Sequence, residues 1–275
     1  WRLNGAITNA DAQDRWMLTT PVSYPADGTA MNTLRKSAAN IRLGEYIADA
    51  TAESIARYGL DMPRLVIRLH QAAGTIGAVG TTGSYATTDY PESTITLVIG
   101  EQESDLVDYV LYDGGIYRCS TLLLRGVMNA DWQETITRYP VLTALGNLAS
   151  LSRETADGVD TWVITRTEQV AENNELVTDD EGNQVYDIAL TKNGESADYT
   201  AFSAAYNQLM MVTMSGRLPD GWTAADAPHT VWTFTDVDGT VHTVALTRYD
   251  AMHDAVAVDG VALFYLIQGG FSLGI

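Results

Sequence analysis

Asp108-Tyr109-Val110-Leu111-Tyr112-Asp113-Gly114 decides how this chain is read, because its outline returns 146 residues later as Asp254-Ala255-Val256-Ala257-Val258-Asp259-Gly260. Alternating apolar residues suit a pleated strand with one buried face. Asp-Gly between two such runs supplies the positive φ values of a tight hairpin turn. The same hairpin is therefore predicted twice.

Working outward, residues 94–99 match 240–245 at the same offset. Farther upstream the offset grows to 165, where Met62-Pro63 and the strand 65–69 match Ala227-Pro228 and 230–234. Ile67 and Leu69 then share the face that Trp232 and Phe234 occupy in the second copy. At an offset of 171, Asp27-Gly28-Thr29-Ala30 with Met31, Leu34 and Ala38 matches Asp198-Tyr199-Thr200-Ala201 with Phe202, Ala205 and Leu209. That spacing is one face of a helix, opened each time by an Asp suited to capping free amides. Ile41 and Leu43 answer Val212 and Met214 as a short strand-like alternation after each helix. The falling offsets place extra residues in the first copy, around a helix at 51–58 and in the segment 71–93.

Before each capped helix lies another hairpin, from 1–8 to 15–20 and from 160–168 to 185–191. The predicted fold is α+β: two tandem diverged repeats, each a mainly antiparallel sheet of hairpin, helix, strand and meander packed with one or two helices. Residues 132–152 read as a helical connector, with the boundary near Arg138-Tyr139-Pro140, giving units 1–138 and 139–275.

Of the 275 residues 46% are apolar, enough for a substantial core and, by length, for two domains. The formal charge of −19 repels phosphate backbones and anionic lipid surfaces, which excludes nucleic acid as a partner class. Cys119 is the single cysteine, so an intramolecular disulfide and a cysteine-rich metal site are excluded, and a Gram-positive surface protein fits that usage. Starting at Trp1, the chain is expected to be the soluble remainder of a longer precursor. The uncharged stretch 260–275 is shorter than the ~20 residues of a spanning helix and contains Gly269-Gly270, so it reads as core.

The run Tyr58-Gly59-Leu60-Asp61-Met62-Pro63, followed by a strand, a second strand closing on Ile99-Gly100 and the hairpin through Gly114, resembles a bacterial domain-of-unknown-function family, DUF4340. Trp16-Met17-Leu18 with Pro21 and Tyr24-Pro25-Ala26-Asp27 looks like the leading motif of that family. The resemblance is strong over 15–125 and weak in the second copy, which lacks the Tyr-Gly-Leu-Asp tetrad. It implies a protein held on the outer face of the cytoplasmic membrane by an amino-terminal helix. It further implies an auxiliary role beside ABC-type export or gliding-related transport components, which makes membrane transport proteins the expected partners.

No residues read as catalytic, cofactor-binding or metal-binding. His229 and His242 flank a turn, and a tight hairpin sets them roughly 13 Å apart at ~3.3 Å per residue, too far to share a zinc ion. His70 and His253 sit at strand ends, and all four histidines read as ordinary surface residues. No Gly-x-Ser-x-Gly elbow is present, and His253 and Asp254, adjacent on a strand, point to opposite faces. The acidic stretch 172–181 lacks EF-hand spacing and reads as a solvated hairpin closed by Gly182-Asn183.

The most unusual segment is 71–93, where Gly74, Gly77, Gly80 and Gly83 recur every third residue. It joins two strands and has no basic residue, so it is no phosphate loop. It reads first as a mobile hairpin excursion; in the sharper reading these glycines with Tyr85 and Tyr90 are candidate partner-contact residues, aromatic anchors being typical of binding surfaces. The leading expectation is a non-enzymatic extracytoplasmic accessory or scaffold protein of a membrane transport complex. The alternatives are a ligand- or carbohydrate-binding module drawing on Trp16, Trp132, Trp162, Trp222 and Trp232, most of them expected to be strand-embedded and buried, and a cryptic hydrolase.

Overall fold

The computed structural model describes residues 2–6, 15–79, 85–171, 176–179 and 181–275. Strands β1 (Arg2–Ala6), β2 (Arg15–Thr20) and β3 (Tyr24–Pro25) come first, then helix α1 (Gly28–Ala39), β4 (Leu43–Asp49), α2 (Ala52–Arg57) and β5 (Leu65–Gln71). A hairpin of β6 (Gly74–Val79) and β7 (Tyr85–Tyr90) precedes β8 (Ser93–Ser104), β9 (Val107–Tyr112), β10 (Gly115–Ser120) and α3 (Thr121–Met128). The remainder runs β11 (Leu148–Thr155), β12 (Gly158–Glu168), β13 (Tyr186–Lys192), β14 (Glu195–Ala197), α4 (Tyr199–Met210), β15 (Gly216–Arg217), β16 (Thr230–Asp236), β17 (Val241–Arg248), β18 (His253–Val258) and β19 (Val261–Ile267). The fold is α+β and rich in strands, with antiparallel pairing throughout the two large sheets.

Two compact units form, one built on Gly28–Thr135 and the other on Met17–Asp27, Ile136–Ile275 and β1. In the first, five strands take the order β4-β10-β9-β8-β5. Leu97, Ile99, Val110, Cys119 and Leu124 form its core, with Leu65 and Ile67 packed against them. Helix α3 presents Leu124 and Val127 to the interior, and it approaches α1 closely at Gly126, where a Cβ would collide with the Ser37 side chain.

Strands β1, β2 and β3 pair in a small sheet of their own, and the large sheet of the second unit has nine strands among the described residues, in the order β14-β13-β12-β11-β16-β17-β18-β19-β15. Its run β15-β19-β18-β17-β16 thus has the same chain sense as β4-β10-β9-β8-β5 in the first unit. Alternate residues of the sheet turn aromatic rings inward: Trp162 stacks on Trp232 at 6.5 Å, and Tyr206 of α4 meets Phe234 edge-on at 6.3 Å. Each fully buried side chain of this size is worth roughly 1.5–3 kcal/mol. The Tyr206 hydroxyl donates to the Thr143 carbonyl at 2.9 Å, and its burial pushes the phenol far above its ordinary range. Asp198 caps α4 by accepting from the amides of Thr200 and Ala201. The stretch 260–275 supplies Phe264, Leu266, Phe271 and Leu273 to this core, and among the described residues no helix is long and apolar enough to cross a membrane.

The Asp-Gly turns form as read, with Asp113 and Gly114 at φ 45° and 75° and Asp259 and Gly260 at 49° and 82°. Asn193-Gly194 makes a third turn of this kind that the sequence reading lacks. Residues 132–152 are not a helical connector. Only two single 3-10 turns, Trp132–Glu134 and Leu145–Asn147, occur there before β11 begins at Leu148. Pro140 has no amide hydrogen for a helix, and Leu148 and Leu151 are instead buried by sheet pairing with β16. Nor is 212–214 a strand, since the Met214 amide donates to the Arg138 carbonyl and pairing starts only at Gly216.

Candidate functional site

The glycine-rich segment is a two-stranded ribbon. Gly74 and Gly77 lie on β6, Tyr85 and Tyr90 on β7, and Gly80 and Gly83 fall outside the described residues. The register sets Gly74 opposite Tyr90, Gly77 opposite Thr87 and Val79 opposite Tyr85. The Tyr90 ring fills the space that a Cβ on Gly74 would require, so this glycine admits a cross-strand aromatic. Thr75 donates to Asp89 at 2.6 Å, and Thr87, Thr88 and Asp89 are exposed. The ribbon follows the β5–β8 pairing, which ends at Gln71 opposite Ser93, and Pro91 lacks the donor that continuous pairing would use. The corresponding β16–β17 connection spans only residues 237–240.

The histidines are more engaged than their sequence neighbours suggest. His70 meets Thr94 Oγ1 at 3.1 Å, His242 meets Asp259 at 2.9 Å, and His253 meets Asp250 at 3.0 Å. Asp250 is held below the usual carboxylate range, first by the Met252 amide and then by His253. Among the described residues no three metal-ligating side chains converge.

Two buried carboxylates form ion pairs that the sequence reading does not single out. Asp108, second in β9, is fully buried and ion-paired to Arg64, which immediately precedes β5. The Arg64 guanidinium also donates through Nε to the Gly100 carbonyl at 2.7 Å. Asp254, second in β18, is 2% exposed, with His229 Nε2 at 3.2 Å and Arg248 Nε at 3.9 Å from its Oδ1. His229 immediately precedes β16. The signal lies in the matching offsets, which place Arg64 against His229 and Asp108 against Asp254.

His229 Nδ1 also lies 3.0 Å from Thr230 Oγ1, giving the order hydroxyl, imidazole, carboxylate. That order resembles a nucleophile relay. Here, however, Asp254 Oδ1 accepts no aligned hydrogen bond from the ring, and the hydroxyl belongs to the adjacent residue. The arrangement ties the start of β16 to β18.

Arg118 clamps three strands of the other sheet, binding Glu103 of β8 at 2.6 and 2.7 Å and Glu45 of β4, and it holds Glu103 below its ordinary range. Cys119 is buried, which raises its thiol and makes it a packing residue. Of the tryptophans considered as binding surface, Trp162 and Trp232 are buried, whereas Trp16, Trp132 and Trp222 are partly exposed. Trp222 joins a row of rings, meeting Tyr249 at 6.0 Å, which stacks on Tyr265 at 5.2 Å, which in turn meets His253 at 4.9 Å.

The searches of curated proteins and of solved structures returned no match. The family model described as Domain of unknown function (DUF4340) matches residues 16–230. That span takes in the five-stranded sheet and the ribbon and ends before Trp232, Phe234, Phe264 and Phe271 of the ring-packed core; it covers well over half of the chain, and the chain belongs to the DUF4340 family.

Proposed function

We propose that this protein is a non-enzymatic accessory or scaffold protein at the extracytoplasmic face of a bacterial membrane, working with membrane transport proteins. The observation that carries this reading is the β6–β7 ribbon, which adds exposed surface where the corresponding connection is four residues long. Ordering such residues costs ~1–2 kcal/mol each, and contacts with another protein would offset that cost. The engagement of His229, His242 and His253 with structural aspartates agrees with a role other than catalysis. We also infer that the two units are diverged tandem copies. The common strand order, the paired Asp-Gly turns and the paired buried aspartates support this.

The test is to place a photocrosslinking residue at Thr87 and irradiate living cells. Crosslinks to integral membrane transport proteins are expected. Crosslinks confined to soluble cytoplasmic proteins, or none, would overturn the proposal. A second reading, a carbohydrate-binding module, draws on the row Trp222, Tyr249, Tyr265, on which sugar rings could stack. Calorimetric titration with cell-wall oligosaccharides decides it, because binding that is lost in Tyr249→Ala would favour the module.

A further inference from the structure

The two large sheets share one strand order and then part company at a single edge. In the nine-stranded sheet β16 is followed by β11, which covers it with antiparallel pairs from Leu148 opposite Asp236 to Thr155 opposite Thr230. In the five-stranded sheet the corresponding strand β5 is terminal, and among the described residues it pairs with β8 alone. The other edge strands of these sheets are blunted. β14 has three residues, β15 has two, and β4 is broken by two irregularities against β10. β5 instead runs seven residues in unbroken register with β8. A long regular edge is a template for a further strand unless something covers it.

The side chains along this edge describe what would cover it. Leu65, Ile67 and Leu69 share one face and lie opposite Ile99, Leu97 and Ile95; Leu69 and Ile95 stay 38% and 41% exposed at its end. Val66, Arg68 and His70 share the other face and are exposed, the last two a basic pair at its far end in a chain of net charge −19. His70 already has Glu92 at 3.7 Å, so Arg68 carries most of the preference. Beyond a Debye length of ~8 Å the remaining charge of the chain is screened, and the local groups decide.

We propose that β5 accepts an extended segment of another protein, added antiparallel as β11 is added to β16, with apolar residues on the face of Ile67 and Leu69 and acidic residues on the face of Arg68 and His70. Main-chain bonds would supply affinity and the alternate side chains specificity. A second copy of this chain is disfavoured, because antiparallel β5 strands would set Arg68 and His70 against themselves. The inference deepens the protein-binding reading above and rests on it, but it uses a different surface from the ribbon.

The probe is a fluorescein-labelled ten-residue peptide of alternating valine and glutamate, with a valine-lysine peptide as control, titrated by anisotropy into the full chain. The acidic peptide is expected to bind with an affinity that falls as salt rises, and to slow amide exchange in β5. Arg68→Glu, a surface change, should weaken it about tenfold, since attraction becomes repulsion. Equal binding of the two peptides, no effect of Arg68→Glu, or protection elsewhere than β5 would overturn the inference, as would absence of saturable binding. Dimerisation of the free chain through β5 in sedimentation would replace it with a second copy as occupant. Replacing residues 73–91 by a four-residue turn separates the two surfaces: peptide binding should survive, and its loss would assign the contact to the ribbon, leaving the protein-binding reading intact.

Discussion

Asp108 and Asp254 occupy the second position of β9 and of β18, both buried, yet one is met by Arg64 and the other by His229. The arginine is always charged and forks between the carboxylate and the Gly100 carbonyl. The histidine is charged only when protonated, and Arg248 at 3.9 Å stands behind it. A buried carboxylate is costly unless it is compensated, so the same position in two similar sheets is held with different redundancy. Among the described residues one unit relies on a single permanent cation, and the other divides the work between two weaker contacts.

Removing the partners breaks this comparison most directly. Arg64→Met leaves Asp108 buried without a cation and should cost ~3–5 kcal/mol. His229→Leu leaves Asp254 with Arg248 and should cost less, about 1–3 kcal/mol. Because a chain with two compact units need not unfold in one step, unit-resolved hydrogen exchange under increasing urea is the measurement. Equal losses in the two variants would show that Arg248 contributes nothing to Asp254.

The contrast also marks what the sequence can reveal. The Asp-Gly turns and the Asp198 cap are local chemistry, and local chemistry is legible: Asp259-Gly260 and Asp198 do in the structure what their residue types require. Helix α3 is absent from the sequence reading because its Thr121, Leu124 and Val127 face directly follows β10, where the strand pattern masks the change of period. The helix expected over 132–152 does not form for the opposite reason, since Leu148 and Leu151 acquire their burial from β16, far along the chain. In the sequence Asp108 reads as the polar flank of an apolar run. Only its pairing with Arg64, distant in sequence, makes it interior. The ribbon's glycines are conspicuous as composition, but the pairing of Gly74 with Tyr90 gives at least one of them a steric reason.

A smaller effect sharpens the equivalence of the two hairpins. Gly114 and Gly260 hold φ 75° and 82°, and a Cβ at either would meet nothing within 4 Å. Alanine there is opposed by backbone conformation alone, which costs ~1–2 kcal/mol for an L-residue in this region. Gly114→Ala and Gly260→Ala should therefore lose the same amount within error, as read from thermal unfolding. A markedly larger loss at one of them would mean that its hairpin carries a constraint the other lacks.

The smallest expected change comes from the feature that separates the units most visibly. Replacing residues 73–91 by a four-residue turn would make the β5–β8 connection resemble that of β16–β17, which spans residues 237–240. Loop closure becomes easier on shortening, at ~0.6 kcal/mol per halving of length, while the β6–β7 pairing is lost. These terms oppose each other, so stability should move by no more than about 1 kcal/mol. Hydrogen exchange offers the finer reading: among the described residues β6 and β7 pair only with each other, and an isolated two-stranded ribbon is marginal in water. Their amides should exchange well before those of β9, which is flanked by β8 and β10. A loss of several kcal/mol on truncation, or protection of β6 equal to that of β9, would make the ribbon part of the unit's folding core and remove the ground for assigning it to partner contact.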